Sequence, residues 1–313
     1  MVDMEDKFLI SNMKGNEQKE VAELIHHSTN SWYLNNGKEK IFCGPPEDTL
    51  LFCEVYEALD PGCCLIARCS KTGKLAGSCF YHPRETHISL GIMNVAPDFF
   101  GHGIARKLLT RIIQIAKEQS LPVRLVSSAQ NLDSFSLYNR QGFSPIQAFQ
   151  DMYIEVPEQG LKIDTSEEFK LTQAELGDVE EMVDLENRLC GIKRRKDFEY
   201  FIKNNAGIWN TVICRSKGGK LIGFLSSVNH PASKMIGPGV GENDKIILGM
   251  LAILLEKFRG KSPVFLLPVS ARQAVQTAYS WGAKNCEIHF SQCNGKYQPP
   301  RGVAMPTFMP ETG

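Results

Sequence analysis

The chain has no excess of charge of either sign. Its 313 residues carry 35 lysines and arginines against 35 aspartates and glutamates, so the formal net charge at pH 7 is zero. Strong binding to nucleic acid or to an anionic membrane surface draws on a positive field. The charge balance therefore argues against a nucleic-acid partner and against a membrane partner.

Long apolar runs are also missing. No stretch approaches the roughly 20 apolar residues that cross a bilayer, and residues 1–7 are acidic rather than apolar. Neither a membrane span nor an export signal is expected. We predict a cytoplasmic protein.

Cysteine is present, but without the spacing of a metal site or a disulfide scaffold. The ten cysteines are scattered over a long chain, and no C-x-x-C or Cys/His metal pattern occurs. Such usage is typical of reduced thiols in a reducing compartment. We therefore expect no metal. An activated thiol among Cys43, Cys53, Cys69 and Cys79 stays open, because nothing in the sequence singles one out.

Length and apolar content indicate two domains of ordinary size. At 313 residues with 42% hydrophobic side chains, the chain is longer than the usual single core requires. The predicted helices cover residues 17–34, 47–59 and 103–118, and the predicted strands cover 64–69, 75–81, 87–95 and 123–127.

An internal repeat divides the chain. Ser-Lys-Thr-Gly-Lys-Leu-Ala-Gly at residues 70–77 returns as Ser-Lys-Gly-Gly-Lys-Leu-Ile-Gly at 216–223, and the same order of strands and helices follows each copy. Two copies of one α/β unit explain this economically. The predicted domains are residues 1–156 and 169–313, joined by a linker at 157–168 that is rich in turn-forming and charged residues.

The most informative stretch runs from Met93 to Leu109. A strand breaks at Pro97, and a turn bracketed by Gly101 and Gly103 opens directly into an amphipathic helix. Glycine lets an anion approach the backbone, and the first amides of a helix have no partner within it. The stretch predicts a phosphate cradle, although a G-x-G turn before a helix is also an ordinary tight turn.

A second motif follows about thirty residues later. Asn131 stands where a helix N-cap is expected, the helix carries Leu137 and Tyr138, and the segment leaves through Gly142 and Phe143. An asparagine at this place is commonly a cap, and a tyrosine on an amphipathic helix is commonly part of the core.

Together the two stretches resemble the signature motifs of the GNAT superfamily of acyl-CoA-dependent N-acetyltransferases. The family's first motif reads Val-x-Pro, then Arg or Gln, two residues, Gly, one residue, and Gly or Ala. Phe100 replaces the usual Arg or Gln here. The matching positions are Val95, Pro97, Gly103 and Ala105 in the first motif, and Asn131, Leu137, Tyr138, Gly142 and Phe143 in the second.

The resemblance implies an α/β (α+β) fold of two tandem GNAT-like domains, each a mixed, mostly antiparallel sheet flanked by helices. It also implies transfer of an acetyl group from acetyl-CoA to a primary amine by direct attack in a ternary complex, without a metal. The amine substrate is a small molecule or a peptide. The identity of the amine, the acyl length and the oligomeric state stay open.

The resemblance also assigns residues. The strand end would present its backbone to the pantetheine and the thioester, beside a bulge; Tyr138 would be the general acid; and Asn131 would hold the pantetheine amides. The strand-end residues are Met93, Asn94 and Val95. The pyrophosphate-binding residues are Gly101, His102, Gly103, Ile104, Ala105 and Arg106.

The general base is the missing part. Many relatives place a glutamate on the fourth strand, but this strand has no carboxylate between His87 and Val95. Glu85 and His87 at its start are the candidates, with His82 across the turn, because histidine titrates near neutrality. A histidine at a strand end is also commonly a solvated turn residue.

Two further patterns leave alternatives open. Gly91 on the same strand makes room either for a closely packed helix or for an acyl arm or substrate. The basic run at residues 193–196 could bind an anion, but it is better interpreted as the solvated face of a helix.

The second copy departs from the first where phosphate would bind. Glu242 and Asp244 stand there, and a negative charge opposes phosphate binding, so this copy is not expected to bind CoA. The second copy resembles the divergent C-terminal domain found in a tandem subgroup of the superfamily, and residues 236–238 carry that match. Glu311 near the C-terminus is a carboxylate without an assigned role. The alternative functions are a non-catalytic acyl-CoA sensor, suggested by Phe100, and a structural interaction module.

Overall fold

A computed structural model describes residues 7–163 and 169–311. Its helices are α1 (Gln18–Asn35), α2 (Leu50–Leu59), α3 (Ile104–Glu118), α4 (Leu132–Arg140), α5 (Val179–Cys190), α6 (Arg195–Lys203), α7 (Asp244–Leu255) and α8 (Arg272–Ser280). The first six strands are β1 (Phe8–Asn12), β2 (Cys64–Cys69), β3 (Leu75–Pro83), β4 (Ile88–Val95), β5 (Val123–Ser128) and β6 (Ser144–Tyr153). The others are β7 (Lys170–Gln173), β8 (Trp209–Arg215), β9 (Leu221–His230), β10 (Ser233–Gly241), β11 (Val264–Pro268), β12 (Lys284–Asn294) and β13 (Val303–Met305).

These elements confirm the α/β class and the local predictions, including α1, α3 and the β2–β3 hairpin. By contacts the chain forms two compact units, Met1–Pro83 with Ile88–Val123, and Arg84–His87 with Arg124–Gly313. Below they are unit 1 and unit 2. Residues 164–168 of the predicted linker lie outside the described residues.

Unit 1 is a four-stranded antiparallel meander in the order β1-β2-β3-β4. Gly77 of β3 lies against Ile104 of α3, whereas Asn94, paired with the neighbouring Ser78, donates a hydrogen bond to Ser28 of α1. Successive residues of a strand face opposite sides of the sheet. The helices α1 and α3 therefore cover opposite faces, with the strands between them.

Unit 2 is a mixed sheet in the order β5-β12-β6-β11-β10-β9-β8-β7, with β13 paired to β10. The strands β10 and β11 run parallel, whereas β6 runs antiparallel to both of its neighbours. Its core lies between α7 and α8 and the sheet, and is built on Met250, Leu254 and Phe265, all fully buried. Within this sheet β6, which follows the first copy of the repeat in sequence, is inserted between two strands of the second copy.

The repeat appears in three dimensions as two matching arginines. Arg68 Nη1 donates to the carbonyl of Gly73 at 3.0 Å and its Nη2 pairs with Glu17 and Glu20. Arg215 makes the equivalent set: Nη1 donates to the carbonyl of Gly219 at 2.9 Å, and Nη2 pairs with Asp178 and Glu181. Each arginine ties its hairpin to the start of a helix, in the same way in both copies.

The compact units do not follow the repeat. Strand β6 pairs with β12 and β11, which both belong to the second copy, and β5 is the other neighbour of β12. Compactness therefore groups β5 and β6 with the second copy. The division into domains at 1–156 and 169–313, joined by a linker at 157–168, stays a prediction.

Two findings concern the predicted compartment. No helix in the described part of the chain is long and apolar enough to span a membrane. All ten cysteines are free thiols, and Cys53, Cys64 and Cys79 are buried in unit 1.

Candidate active site

The turn before α3 leaves a row of backbone donors open. Gly101 and Gly103 adopt φ of +78° and +77°, the left-handed region in which glycine has no steric penalty. The amide of His102 donates to the carbonyl of Phe99. By contrast, the amides of Gly101, Gly103, Ile104, Ala105 and Arg106 donate to no other described residue. Five donors at the positive end of a 15-residue helix form a site suited to an anion.

Close packing fixes where this turn stands. A Cβ on Gly77 would lie 2.7 Å from Cγ2 of Ile104 and 3.0 Å from the carbonyl oxygen of Asn94. The absence of a side chain on Gly77 therefore lets the first residue of α3 sit directly on β3, beside the end of β4. The amides that follow are held by the sheet rather than by the loop.

The side chains of the turn take three roles. Nδ1 of His102 lies 3.0 Å from the carbonyl oxygen of Phe100, which can only accept, so the ring carries its proton on Nδ1. The Arg106 side chain is exposed and its Nη2 lies 3.6 Å from where a Gly103 Cβ would stand. Phe100 is 47% exposed and offers an apolar ring in place of a donor. The positive charge at the turn comes from Arg106 and the helix end.

The end of β4 is tied to α1 through Asn94. Its Nδ2 donates to Oγ of Ser28 at 2.8 Å and to Oγ1 of Thr29 at 3.2 Å. Its Oδ1 is buried and accepts from no described residue. Buried polar atoms are normally hydrogen-bonded, so this oxygen is an acceptor open to a ligand or a water.

A bulge interrupts β4 just before these residues. Cys79 pairs with Met93 and Tyr81 pairs with Leu90, so β4 carries one extra residue between the two pairs. The predicted bulge after the strand thus lies within it. It turns the segment from Met93 to Val95 relative to the first half of the strand.

The space beside Gly91 is filled by another strand's side chain. A Cβ there would meet His82 Nε2 at 2.8 Å and Phe80 at 3.0 Å. Both sequence interpretations of Gly91 are therefore wrong, since neither a helix nor space for an acyl arm lies next to it. His82 itself is fully buried, with Nδ1 2.7 Å from Asp60 Oδ2, because burial of an imidazole requires a polar partner.

The second motif starts and ends α4 in unit 2. Asn131 caps the helix, its Oδ1 accepting from the amide of Ser134 at 3.0 Å, which leaves Nδ2 as a donor. Tyr138 is 7% exposed and its ring lies 5.9 Å from that of Phe143. Both structural alternatives, an N-cap for Asn131 and a core position for Tyr138, thus apply.

The two base candidates differ in exposure. Both lie in the segment 84–87, which belongs to unit 2. Glu85 is exposed, whereas His87 is 1% exposed with Nδ1 3.1 Å from Oγ1 of Thr86. His87 is therefore not a solvated turn residue. Unit 1 brings together Met93 to Val95 and the turn before α3; Asn131, Tyr138, Glu85 and His87 belong to unit 2.

Unit 2 also contains a buried cluster of acidic and basic side chains that the sequence did not predict. Nδ1 of His289 lies 3.5 Å from Asp151 and its Nε2 lies 3.9 Å from Glu287, which accepts from Oγ of Ser128 at 2.5 Å. The sequence pattern that could have indicated this cluster is the spacing of Glu287 and His289, which places both side chains on one face of β12. Asp151 and Ser128 come from other strands, so only strand pairing could complete the group.

The interpretation of residues 193–196 as a solvated helix face is wrong for Arg194. Its guanidinium is buried and pairs with Glu186, with Nη2 2.5 Å from Oε1 and Nε 2.9 Å from Oε2. Arg195 starts α6 and pairs with Glu180 on the surface. The buried pair joins α5 to the start of α6. Hydrophobic periodicity could not predict it, because Glu186 lies eight residues before Arg194 on a different helix.

The corresponding corner of the second copy is closed. Only Glu242 and Asn243 connect β10 to α7, whereas residues 96–103 connect β4 to α3. Oδ1 of Asn243 accepts from the amide of Ile246 at 3.2 Å, and Glu242 pairs with Arg188 and Lys220. Burial raises the pKa of Glu242, but these two cations outweigh it and lower the pKa overall. The second copy therefore differs from the first by a capped Ile246 amide and by the Glu242 carboxylate at the helix start.

The sequence matches the Acetyltransferase (GNAT) family over residues 26–143. No curated protein matches it. A structure described as a candidate acetyltransferase from Pyrococcus horikoshii has a TM-score of 0.74 at 14% identity, with 99% of this chain and 97% of that chain covered.

Two other solved structures share the fold. A tandem GNAT protein from the clavulanic acid biosynthesis pathway has a TM-score of 0.61 at 13% identity, covering 93% of this chain and all of the other. Saccharomyces cerevisiae N-myristoyltransferase, solved with myristoyl-CoA, has a TM-score of 0.60 at 11% identity, covering 96% of this chain and 81% of that one. The motif at α3 lies within the matched residues 26–143, so this part of the chain carries the GNAT match, and the solved structures share the fold of the whole chain.

Proposed function

We propose that this protein is an N-acetyltransferase that moves an acetyl group from acetyl-CoA to a primary amine by direct attack in a ternary complex. The observation that carries the proposal is the row of open amides at Gly101 and from Gly103 to Arg106. The GNAT match over residues 26–143 supports acyl transfer as the class of reaction. The choice of acetyl-CoA and of an amine is the proposal.

The residues at the turn fit the pyrophosphate of CoA. Two glycines at positive φ, five free amides and the Arg106 guanidinium offer donors and positive potential to a dianion. The Phe100 ring contributes no donor, so the backbone supplies most of the binding energy. Met93, Asn94 and Val95 would hold the pantetheine and the thioester oxygen, and Asn131 Nδ2 would bind a pantetheine amide.

Acetyl-CoA supplies a thioester that is open to attack by a neutral amine. The protein must then remove a proton from the amine and return one to the departing sulfur. Tyr138 would donate that proton from its hydroxyl. His87 would accept the amine proton, with Glu85 as the exposed alternative. His289, held between two carboxylates, is a second histidine suited to this work.

Calorimetry tests the cradle. Wild-type protein should bind acetyl-CoA, and Gly103→Glu should weaken binding at least about tenfold, or 1.4 kcal/mol, because a carboxylate would enter the phosphate site. Gly73→Glu is the matched control, since Gly73 also has a positive φ, of +71°, and open space around it. Equal affinity of the wild type and Gly103→Glu would reject the cradle.

Turnover separates an enzyme from a sensor. Release of free CoA thiol is measured with acetyl-CoA and a panel of peptide, polyamine and small-molecule amines. An N-acetyltransferase releases thiol in an amine-dependent way, whereas a sensor binds acetyl-CoA without such release. Binding without turnover on every amine would favour the sensor.

A further inference from the structure

Unit 2 contains a cavity that the acyltransfer motifs do not use. It has a volume of about 30 Å³, room for about two water molecules. Its walls come from the central strands, from α5 and from the segment after β12. They are mostly apolar, and include Val126, Phe149, Ile192, Pro300 and Met305.

Arg124 of β5 lines this cavity with a guanidinium that no described carboxylate pairs with directly. Its guanidinium makes no hydrogen bond or ion pair with any other described residue, and its contact is the face of the Tyr297 ring at 5.4 Å. Burial lowers the pKa of Arg124, because desolvation disfavours the charged form. Arg124 is partly buried, and Glu186 interacts with it electrostatically but pairs with Arg194, so a bound anion would offset part of the desolvation cost of Arg124.

A second arginine, Arg194, lines the same cavity but has a carboxylate partner. Its guanidinium is occupied by Glu186 in a two-pronged pair. The cavity therefore holds two arginines and one carboxylate. Its net charge of plus one belongs to Arg124.

Neutral polar groups converge on the same space. Gln147 of β6 and Ser291 of β12 line the cavity next to Arg124, and Tyr297 stands across from it. None of these three side chains hydrogen-bonds to another described residue. An apolar cleft with a few unpartnered polar groups is the usual character of a small-molecule site.

We propose that this cavity binds a small organic carboxylate. The planar guanidinium of Arg124 presents two parallel donors that match a carboxylate. Gln147 and Ser291 can donate hydrogen bonds to the remaining lone pairs of the carboxylate oxygens, and the apolar walls take the hydrocarbon part. One cation in a small apolar cavity suits a monoanion better than a phosphate dianion. The site stands independently of the proposed acetyl transfer.

The test is calorimetric titration of the full chain with formate, acetate and propionate, which suit a cavity of this size. Each acid is compared with its neutral amide, and methyl phosphate is included as the dianion. At least one carboxylate should bind at least tenfold more tightly than its amide and than methyl phosphate. Arg124→Met should raise the Kd of that carboxylate at least tenfold.

Two further variants keep the result interpretable. Arg124→Lys retains the charge without the paired donors and should weaken binding less than Arg124→Met, which covers the case in which the methionine variant does not fold. Arg272→Met, at an exposed arginine at the start of α8, should bind as the wild type does. Absence of binding by all three acids, equal binding of acid and amide, tighter binding of methyl phosphate, or wild-type affinity in both Arg124 variants would each overturn the proposal.

Discussion

Gly77 lies beneath Ile104 so closely that a Cβ on Gly77 would be 2.7 Å from Ile104 Cγ2. The second copy repeats the arrangement, since a Cβ on Gly223 would be 2.4 Å from Ile246 Cγ2. In both copies the helix after the strand pair starts directly on the glycine. In the second copy the side chain of Asn243 accepts from the amide of Ile246, the third residue of that helix, whereas in the first copy no side chain caps the helix.

Gly77→Ala should destabilise the protein by about 1–3 kcal/mol, because the added methyl group forces a shift in a packed core. It should also weaken acetyl-CoA binding, since the shift moves the amides that follow Ile104. Gly223→Ala is the matched control: it should destabilise the protein without changing the Kd for acetyl-CoA. Denaturant unfolding and calorimetry measure the two effects. An unchanged Kd in a folded Gly77→Ala protein would contradict the coupling.

Tyr138→Phe should lower kcat by about 100-fold, the usual size of a lost general acid, with acetyl-CoA affinity unchanged. Steady-state kinetics and calorimetry separate the two quantities. Tyr279→Phe is the control on α8, where the hydroxyl donates to Gln150 at 2.7 Å. Full activity in Tyr138→Phe would show that the tyrosine is only a core residue.

His87→Gln should remove the acidic limb of the pH profile of kcat/KM, because a base must be deprotonated to accept the amine proton. His289→Gln is measured beside it. A profile that changes only in His289→Gln would transfer the role of base to the cluster around His289.

Glu311→Gln should change how stability depends on pH. Burial raises the pKa of Glu311 well above its usual value of 4.5, and its Oε2 has no partner among the described residues. Above pH 4.5 the unfolded chain has released this proton while the folded chain still holds it, so the wild type loses stability as pH rises.

The glutamine variant cannot release a proton, so it should become more stable than the wild type as pH rises from 4.5 to 8. Urea unfolding at several pH values measures the difference. Glu118→Gln, at an exposed glutamate of α3, is the control, and its free energy of unfolding should change with pH as that of the wild type does. A constant difference between Glu311→Gln and the wild type would argue against a buried neutral acid.

Cys69 should react with iodoacetamide well before Cys53 at pH 8. A hydrogen bond from the Thr72 side chain, with the backbone amides of the turn, lowers the pKa of Cys69, whereas burial raises the pKa of Cys53 to about 12. The thiolate is the reactive form. Mass spectrometry after timed labelling gives the order. Thr72→Val should slow the alkylation of Cys69. Equal alkylation rates for Cys69 and Cys53 would be inconsistent with these environments.

Much of the fold could be predicted from local sequence. Hydrophobic periodicity located α1 and α3, turn residues located the β2–β3 hairpin, and the repeated octapeptide indicated a duplication. These features depend on residues close in sequence, so they survive without knowledge of the fold. The turn at Gly101 and Gly103 belongs with them, because positive φ and helix start are local properties.

Other features depend on partners distant in sequence. The alternatives for Gly91 failed because the contact is made by His82 of β3 through strand pairing. Arg194 was misread because its partner Glu186 lies on another helix. The cluster of His289 and Asp151 and the cavity at Arg124 are assembled from strands that sequence order does not place side by side.

By itself the sequence determined the family motifs, the repeat and the donors at the start of α3. Only the tertiary structure decided that β6 enters the second copy's sheet between β11 and β12, and with it which polar groups meet in unit 2. The physical reason is that a strand's own pattern sets which face is buried, whereas its neighbours are chosen by hydrogen bonding and packing over the whole chain.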